Sequence, residues 1–554
     1  MFFRIKPSGR YKYLQLVENK REGEKVKQHV LMTLGRMDRL TDSGQLKGLT
    51  KSLLRFNEKL IIIDRYKKNQ LNMVDDVSIG PALIFGRLWK ELGIDAVITD
   101  ITKNRSFGFN LERAIFLTVL HRLFDPGSDR AAEKWREDFR VPGVKKLQLH
   151  QLYRAMGWLG EPLIPATTST IDPRRQRFTK DIIEQKLFDR NRDLFTSLQV
   201  VFFDTTSIYF EGEGGESVGA YGHSKDHRPD LKQMIVGVVL DSQGRPICCE
   251  LLPGNITDVT TLIPVATKIK QRFGVESFCI VADRGMISKD TIAYLESHPI
   301  DLQYIFGCRM RKQKEVRNEV LPNKDGEYQE IQIKRIGKRT PLELKIKEVT
   351  IEDRRYVICH NPEQAKKDAE TREAIVASLR KKMKQGDRSL VGNKGYRKYL
   401  KSNDEQQPVF EIDEEKIDQE AQYDGTWVLR TNTGYSAEEV AVQYKELWMV
   451  EQAFRTVKSV MGTRPIYHKC DDTIRGRVFC SFLALALMKE LYSRLSQRKA
   501  DHYEWNDIKR DLRALRQAKL KTDKDSFFIR TELRGVCNDL FQAAGVAVPP
   551  RISQ

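Results

Sequence analysis

The run VVFFDTTSIYF beginning at Val200 is apolar, aromatic or β-branched almost throughout, yet it carries one carboxylate, Asp204. Such a run fits a strand covered on both faces, the kind found at the centre of an α/β sheet. A bare carboxylate buried there costs several kcal/mol, on the order given for unpaired buried charges, unless a cation or strong donors meet it. Either Asp204 is satisfied structurally or something positive arrives there. A second apolar run, SFCIVAD, ends on Asp283, and RGM then leads into a helix. In α/β sheets the ends of strands are where chemistry sits.

The segments between these acids predict a mixed sheet. QMIVGVVLDS and PICCELLPG read as strands, DVTTLIPVATKIKQRFG and SKDTIAYLESH as helices, and LQYIFGC as a last strand. A three-strand meander followed by two helix–strand crossovers permits the first and fourth strands to be neighbours, and if they are, Asp204 and Asp283 face each other. A third acid lies on SAEEVAVQYKELWMVEQAFRTVKSVM, read as one long helix. Leu447, Val450, Phe454, Val457 and Met461 form its apolar stripe. Beside it runs a polar stripe of Tyr444, Glu451, Arg455 and Lys458, close together at about 100° per residue. Asp204, Asp283 and Glu451 suit paired hard cations, because Mg2+ takes oxygen ligands and two such ions serve in-line phosphoryl displacement. Each acid also has a plain reading. Asp204 can be hydrogen-bonded structurally, Asp283 can cap its helix, and Glu451 with Arg455 can form a surface ion pair.

A chain of 554 residues exceeds one ordinary core. The sequence divides into an N-terminal β-hairpin and linker helix (1–75), a helical DNA-binding region (76–198), an α/β core (199–308 and 423–495), a β-rich insertion (309–422) and a C-terminal helical region (496–554). In the insertion a charged helix starts at Asn361 as N-cap with Pro362 in its first position. The formal charge of +19 points to a polyanionic partner, most simply nucleic acid. The 8 cysteines contain no C-x-x-C pair, which argues against a zinc site or disulfide framework and for a reducing, cytoplasmic setting. MFFRIKPSGR lacks the apolar core of a signal peptide, and VFCSFLALALM is too short to span a bilayer, so no membrane role is expected.

Together these motifs resemble the DDE transposases of bacterial insertion sequences, in the branch with a β-rich insertion and a Tyr-x2-Arg-x3-Glu-x6-Lys signature. YKELWMVEQAFRTVK matches it at Tyr444, Glu451 and Lys458, with Leu447 at the arginine position. FFDTTSIYFEG and VADRGM resemble the two aspartate motifs, and GHSKDHRPDLKQM and LLPGNITDVTTL are also family-like. The resemblance implies a ribonuclease-H-like (retroviral-integrase-like) mixed-sheet core with helical N- and C-terminal regions. It implies cleavage of element ends by a metal-activated water and joining of the 3′-hydroxyl to target DNA. Asp204, Asp283 and Glu451 would hold Mg2+, two ions with Mn2+ able to substitute. Tyr444 and Lys458 would position the DNA backbone. A homodimer on double-stranded DNA, pairing two ends, is expected. The alternatives are a nuclease of the same fold without strand transfer, or a DNA-binding derivative without catalysis.

Further DNA contacts are expected less specifically. His223, Lys225 and Arg228 occupy a polar loop between the first two core strands, which reads equally as a solvated hairpin. Arg284 follows Asp283, Arg455 follows Glu451, and Arg174, Arg175 and Arg177 cluster in the helical region. The basic helix around ETREAIVASLRKKMKQ would add sequence-blind phosphate contacts.

Overall fold

The computed structural model of the chain describes residues 1–22, 25–50, 52–53, 72–163, 172, 174, 176–191, 199–275, 277–297, 302–323, 327–333, 341–383, 398–402, 410–521 and 526–553. Two compact units emerge. One comprises Met1–Gly80, Arg510–Gly535 and Ala547–Gln554, the other Pro81–Lys509 and Val536–Val546.

In the first unit the expected hairpin gains a strand. β1 (Phe2–Ser8), β2 (Tyr11–Glu22) and β3 (Lys25–Arg36) form an antiparallel sheet. A second sheet joins β4 (Asn72–Ser78) to Arg516–Lys521, then Ser526–Arg530, then Ile552–Ser553. This corrects the helical reading of the C-terminal region, since the helix beginning at Trp505 ends at Ala514 and strand follows. The cause is non-local. Arg516 pairs with Asp76, 440 positions earlier, and no short-range pattern encodes that partner.

In the second unit the helices α1 (Leu111–Phe124), α2 (Leu149–Gly160) and α3 (Thr179–Asn191) precede the sheet. The core strands are β5 (Val200–Tyr209), β6 (Gln233–Asp241) and β7 (Pro246–Pro253), an antiparallel meander. α4 (Leu262–Phe273) leads to β8 (Phe278–Ala282) and α5 (Lys289–Ser297) to β9 (Leu302–Gly307). β8 lies parallel to both β5 and β9, as the pattern of runs predicts.

Three strands of the insertion extend the core sheet. β10 (Gln329–Ile333), β11 (Leu342–Ile351) and β12 (Arg354–His360) continue the core sheet through β15 (Thr426–Thr431), which pairs with both β12 and β9. The resulting nine-stranded order is β10-β11-β12-β15-β9-β8-β5-β6-β7. β13 (Leu400–Ser402) and β14 (Phe410–Ile412) pair separately. The helix α6 (Pro362–Met383) starts where expected, with the Asn361 side chain accepting from the Gln364 amide at 3.1 Å.

The long catalytic-region helix is broken. α7 (Ala437–Glu446) stops at a turn on Leu447, α8 (Trp448–Arg455) follows, and Thr456–Val460 winds as a π-helix. A stripe computed at one uniform pitch therefore does not run from Tyr444 to Lys458. α7 begins with a capping box in which Ser436 and Glu439 satisfy each other's backbone amides. α9 (Asp471–Gln497) packs on α1, α2 and β7. Its approach to α2 is so close that a Cβ on Gly476 would meet the Met156 carbonyl at 2.0 Å.

Val201, Phe203, Ile280 and Ala282 pack with Ile269 and Phe273 of α4 in one apolar core. Strand alternation then sends Phe202 and Asp204 to the opposite face. An ionic cluster fastens α3 to this layer. The Lys180 ammonium donates to the Cys249 carbonyl at 2.5 Å and to Asp181 at 2.6 Å, and Arg272 reaches Glu184 at 2.8 Å and Glu250 at 3.2 Å. Burial pulls Lys180 toward neutrality, but Asp181 and Glu184 hold it well above the usual lysine value. Removing one member of such a cluster strands the others. Lys180→Met is expected to cost about 3–5 kcal/mol, read as a lowered denaturant midpoint; an unchanged midpoint would contradict the role given to Lys180.

Candidate active site

The register Phe203↔Ala282 on neighbouring parallel strands brings Asp204, midway along β5, beside Asp283, the residue that follows β8. Asp204 is mostly buried, its side chain 20% exposed. Burial raises its carboxyl to about 6, with the charges of Asp283 and Asp258 adding to the rise and Lys225 opposing it. Its Oδ1 accepts the Thr205 amide at 2.7 Å, and the Lys225 ammonium stands 3.8 Å away. One amide and one distant ammonium leave the charge incompletely met, so Asp204 is not simply a satisfied structural aspartate.

Asp283 stands at the N-cap position of the short turn Arg284–Met286 but its side chain makes no cap bond. Instead its Oδ1 accepts the Tyr444 hydroxyl at 3.0 Å. Burial and the Asp283 charge push the Tyr444 phenol well above its usual value, keeping it a proton donor. Tyr444, expected on the DNA backbone, is thus held on an acid here. Gly307 makes room for this contact: a Cβ there would lie 2.3 Å from the Tyr444 hydroxyl oxygen.

Glu451 is exposed on α8, which packs on β5 and β6. Its carboxylate makes no hydrogen bond or ion pair among the described residues, nor does the exposed Arg455, so the expected surface pair between them is not formed. Among the described residues no three His, Cys, Asp or Glu side chains are gathered at metal-ligating distances. The pairing of β5 with β8 brings two of the three predicted acids together, and the third stands on the helix packed on β5 and β6.

Asp258 was missed from sequence. It accepts the Thr205 hydroxyl at 2.6 Å and pairs with Lys225 at 3.0 Å. It opens the run DVTTLIPVATKIKQRFG, read from sequence only as a helix. Lys225 also donates to the Thr205 carbonyl at 2.6 Å, so this residue of the polar loop is fastened to β5 rather than solvated.

The other expected DNA contacts are dispersed. Lys458 pairs with Asp226 at 2.8 Å, and Asp226 also takes Arg464 at 2.5 Å; neither Asp226 nor Arg464 was anticipated. His223 is exposed, and Arg228 is held by Asp230 at 2.8 Å within its own loop. Arg174 pairs with Asp172 at 2.8 Å and Arg177 donates to Gln185 at 3.1 Å, while Arg175 lies outside the described residues. Arg284 is exposed and lines a cleft of about 280 Å³ beside Asp283, together with Arg309, Arg311 and Lys312. Arg309 braces the turn by donating to the Arg284 and Gly285 carbonyls, both at 2.9 Å.

Two half-buried acids thus lie side by side on adjacent strands of a mixed sheet, Asp204 destabilised in its ionised form and Asp283 beside a basic cleft. Residues 196–487, over half the chain, match the transposase DDE domain, and residues 3–65 match the IS1634 family transposase N-terminal domain. The chain belongs to the DDE transposase family: it is an insertion-sequence transposase, acting on DNA by metal-dependent phosphoryl transfer. A piggyBac transposase, solved by cryo-EM as a synaptic complex with hairpin DNA, is similar at 11% identity and a TM-score of 0.38, over 78% of this chain and 79% of that one. No curated protein matches the chain. DDE domains use divalent cations, and the residues present fit one, since Asp204 and Asp283 supply hard oxygen donors and the Lys225 ammonium already attends Asp204. No helix among the described residues is long and apolar enough to cross a membrane.

Two predictions follow from this geometry. Asp204 has a folded value near 6 against 3.8 unfolded, so its contribution favours folding below 3.8 and is lost as pH rises through 6. At pH 7.5 in chelator, Asp204→Asn is expected to stabilise the protein by about 2–3 kcal/mol while abolishing cleavage. The stability gap should close as pH falls from 7 to 4; a gap independent of pH would refute the assignment. Gly307→Ala, by pushing Tyr444 off Asp283, is expected to slow DNA cleavage by roughly 10–100-fold with the melting temperature of the fold largely kept.

Proposed function

We propose that Asp204, Asp283 and Glu451 are the ligands of two Mg2+ ions, with Mn2+ able to substitute, and that the protein cleaves element ends to free a 3′-hydroxyl and joins it to target DNA. The observation that carries this is the in-register placement of Asp204 and Asp283 on adjacent parallel strands, with Asp204 short of positive charge. Bound divalent ions would supply Lewis-acid activation and charge neutralisation at the scissile phosphate. The chain's own residues supply the rest. Tyr444 orients Asp283, Glu451 offers an unpaired carboxylate from the helix packed on β5, and Lys458 contributes positive charge to the DNA backbone.

The basic cleft beside Asp283 suits one strand of the substrate, with Arg284 toward phosphate. Arg455, His223, Arg228 and the Arg174, Arg175 and Arg177 cluster are assigned sequence-blind or end-reading contacts farther out. We place the reaction in the cytoplasm, supported by eight free cysteines of which all but Cys470 are buried. Two copies on paired ends form the working complex.

The deciding experiment uses a labelled duplex carrying the boundary of the element and a target plasmid. Glu451→Gln should reduce cleavage and joining by at least about 100-fold, more than loss of a residue that merely orients a ligand, with duplex binding kept within about twofold. Undiminished cleavage by this variant would remove Glu451 from the ligand set.

A further inference from the structure

The loop between β5 and β6 carries two adjacent side chains of opposite charge that take different partners. Lys225 goes to acids beside β5, pairing with Asp258 at 3.0 Å and standing 3.8 Å from Asp204. Asp226 goes to the far end of the catalytic-region helix. One of its oxygens, Oδ1, takes both the Lys458 ammonium at 2.8 Å and the Arg464 guanidinium at 2.5 Å. The other oxygen, Oδ2, is buried with no hydrogen-bond partner.

Two cations meeting at one oxygen is the arrangement that a phosphate oxygen would receive from the same pair. Among the described residues most donors on both heads stay free, since Arg464 engages the protein through one nitrogen and an ammonium carries three N–H groups. Arg464 is 31% exposed and Lys458 10%, so the guanidinium forms the outer prong. Its backbone is fixed against the end of β5, where the Ile466 amide donates to the Tyr209 carbonyl at 3.2 Å and the Glu211 amide to the Ile466 carbonyl at 3.0 Å.

Asp226 itself is not on a free flap. The Lys225 amide donates to Ser207 Oγ at 2.8 Å, and Ser224 Oγ accepts the Arg228 amide at 3.1 Å. His227, the next residue, is held at φ 56, the left-handed region that a side chain rarely adopts. Strain of that kind persists only where surrounding contacts over-determine it. A fastened carboxylate between two cations holds them together against their mutual repulsion.

We propose that Asp226 is a positioning residue that sets Lys458 and Arg464 as a two-pronged clamp on one DNA backbone phosphate, which makes Arg464 a phosphate contact in its own right. This rests on the reading of Lys458 as a DNA contact. Simple charge counting gives the opposite sign for Asp226, because removing a negative charge should strengthen binding to a polyanion.

The test is the salt dependence of binding by the full chain to a mixed-sequence 30-base-pair duplex, with melting temperature recorded for every variant. Lys458→Gln and Arg464→Gln should each weaken binding roughly 5–10-fold at 0.1 M salt and lower the slope of log Kd against log salt by about 0.9. Asp226→Asn should also weaken binding and lower the slope, despite the added positive charge. Tighter or unchanged binding by Asp226→Asn, with Lys458→Gln still impaired, overturns the clamp alone. Unchanged binding by Lys458→Gln overturns the Lys458 reading and the clamp with it. Should Asp226→Asn fail to fold, Arg464→Gln decides, because a full salt slope in that variant overturns the clamp.

Discussion

Everything at the site depends on the parallel pairing of β5 with β8. Register at Phe203↔Ala282 forces the residues that follow this pair, Asp204 and Asp283, to lie side by side. Neither acid can leave without breaking a ladder whose flanking residues, Val201, Phe203, Ile280 and Ala282, are buried under α4. The repulsion between the carboxylates is therefore built into the fold, and burial adds to it at Asp204. A protein selected for stability alone would place an apolar residue there. This one keeps a charge deficit that a divalent cation is suited to fill.

The surrounding residues are arranged around that deficit. Lys225 answers part of it from the β5–β6 loop, and Tyr444 fixes Asp283 from α7 through the space left by Gly307. The same loop reaches Lys458 and Arg464 through Asp226. Charges of both signs thus sit within one short polar segment.

Much of the core was legible because its signals are local. Apolar runs of strand length, separated by two amphipathic helices, encode the meander and the parallel crossovers, and the packing followed the pattern. The capping of α6 by Asn361 was legible for the same reason. Other features were hidden. The break at Leu447 removed the single pitch from which Tyr444, Glu451 and Lys458 appeared to share a face. Asp258 opens a run that reads as helix and Asp226 sits in a polar phrase that reads as loop, so their roles depend on partners that are distant in sequence. The C-terminal strands read as helix because their pairing partner, β4, is hundreds of positions away.

The sequence by itself determined the residue types, the apolar periodicity and the motif spacing, and through them the transposase family, the sheet order around β5 and β8 and two of the acids that meet. Tertiary structure alone decided that the insertion strands extend the core sheet, that Tyr444 serves Asp283, and that Asp226 joins Lys458 to Arg464. The physical reason is range. Strand and helix periodicity arise from neighbours along the chain, whereas a hydrogen bond between positions 444 and 283, or an ion pair between 226 and 464, exists only once packing has brought distant segments together.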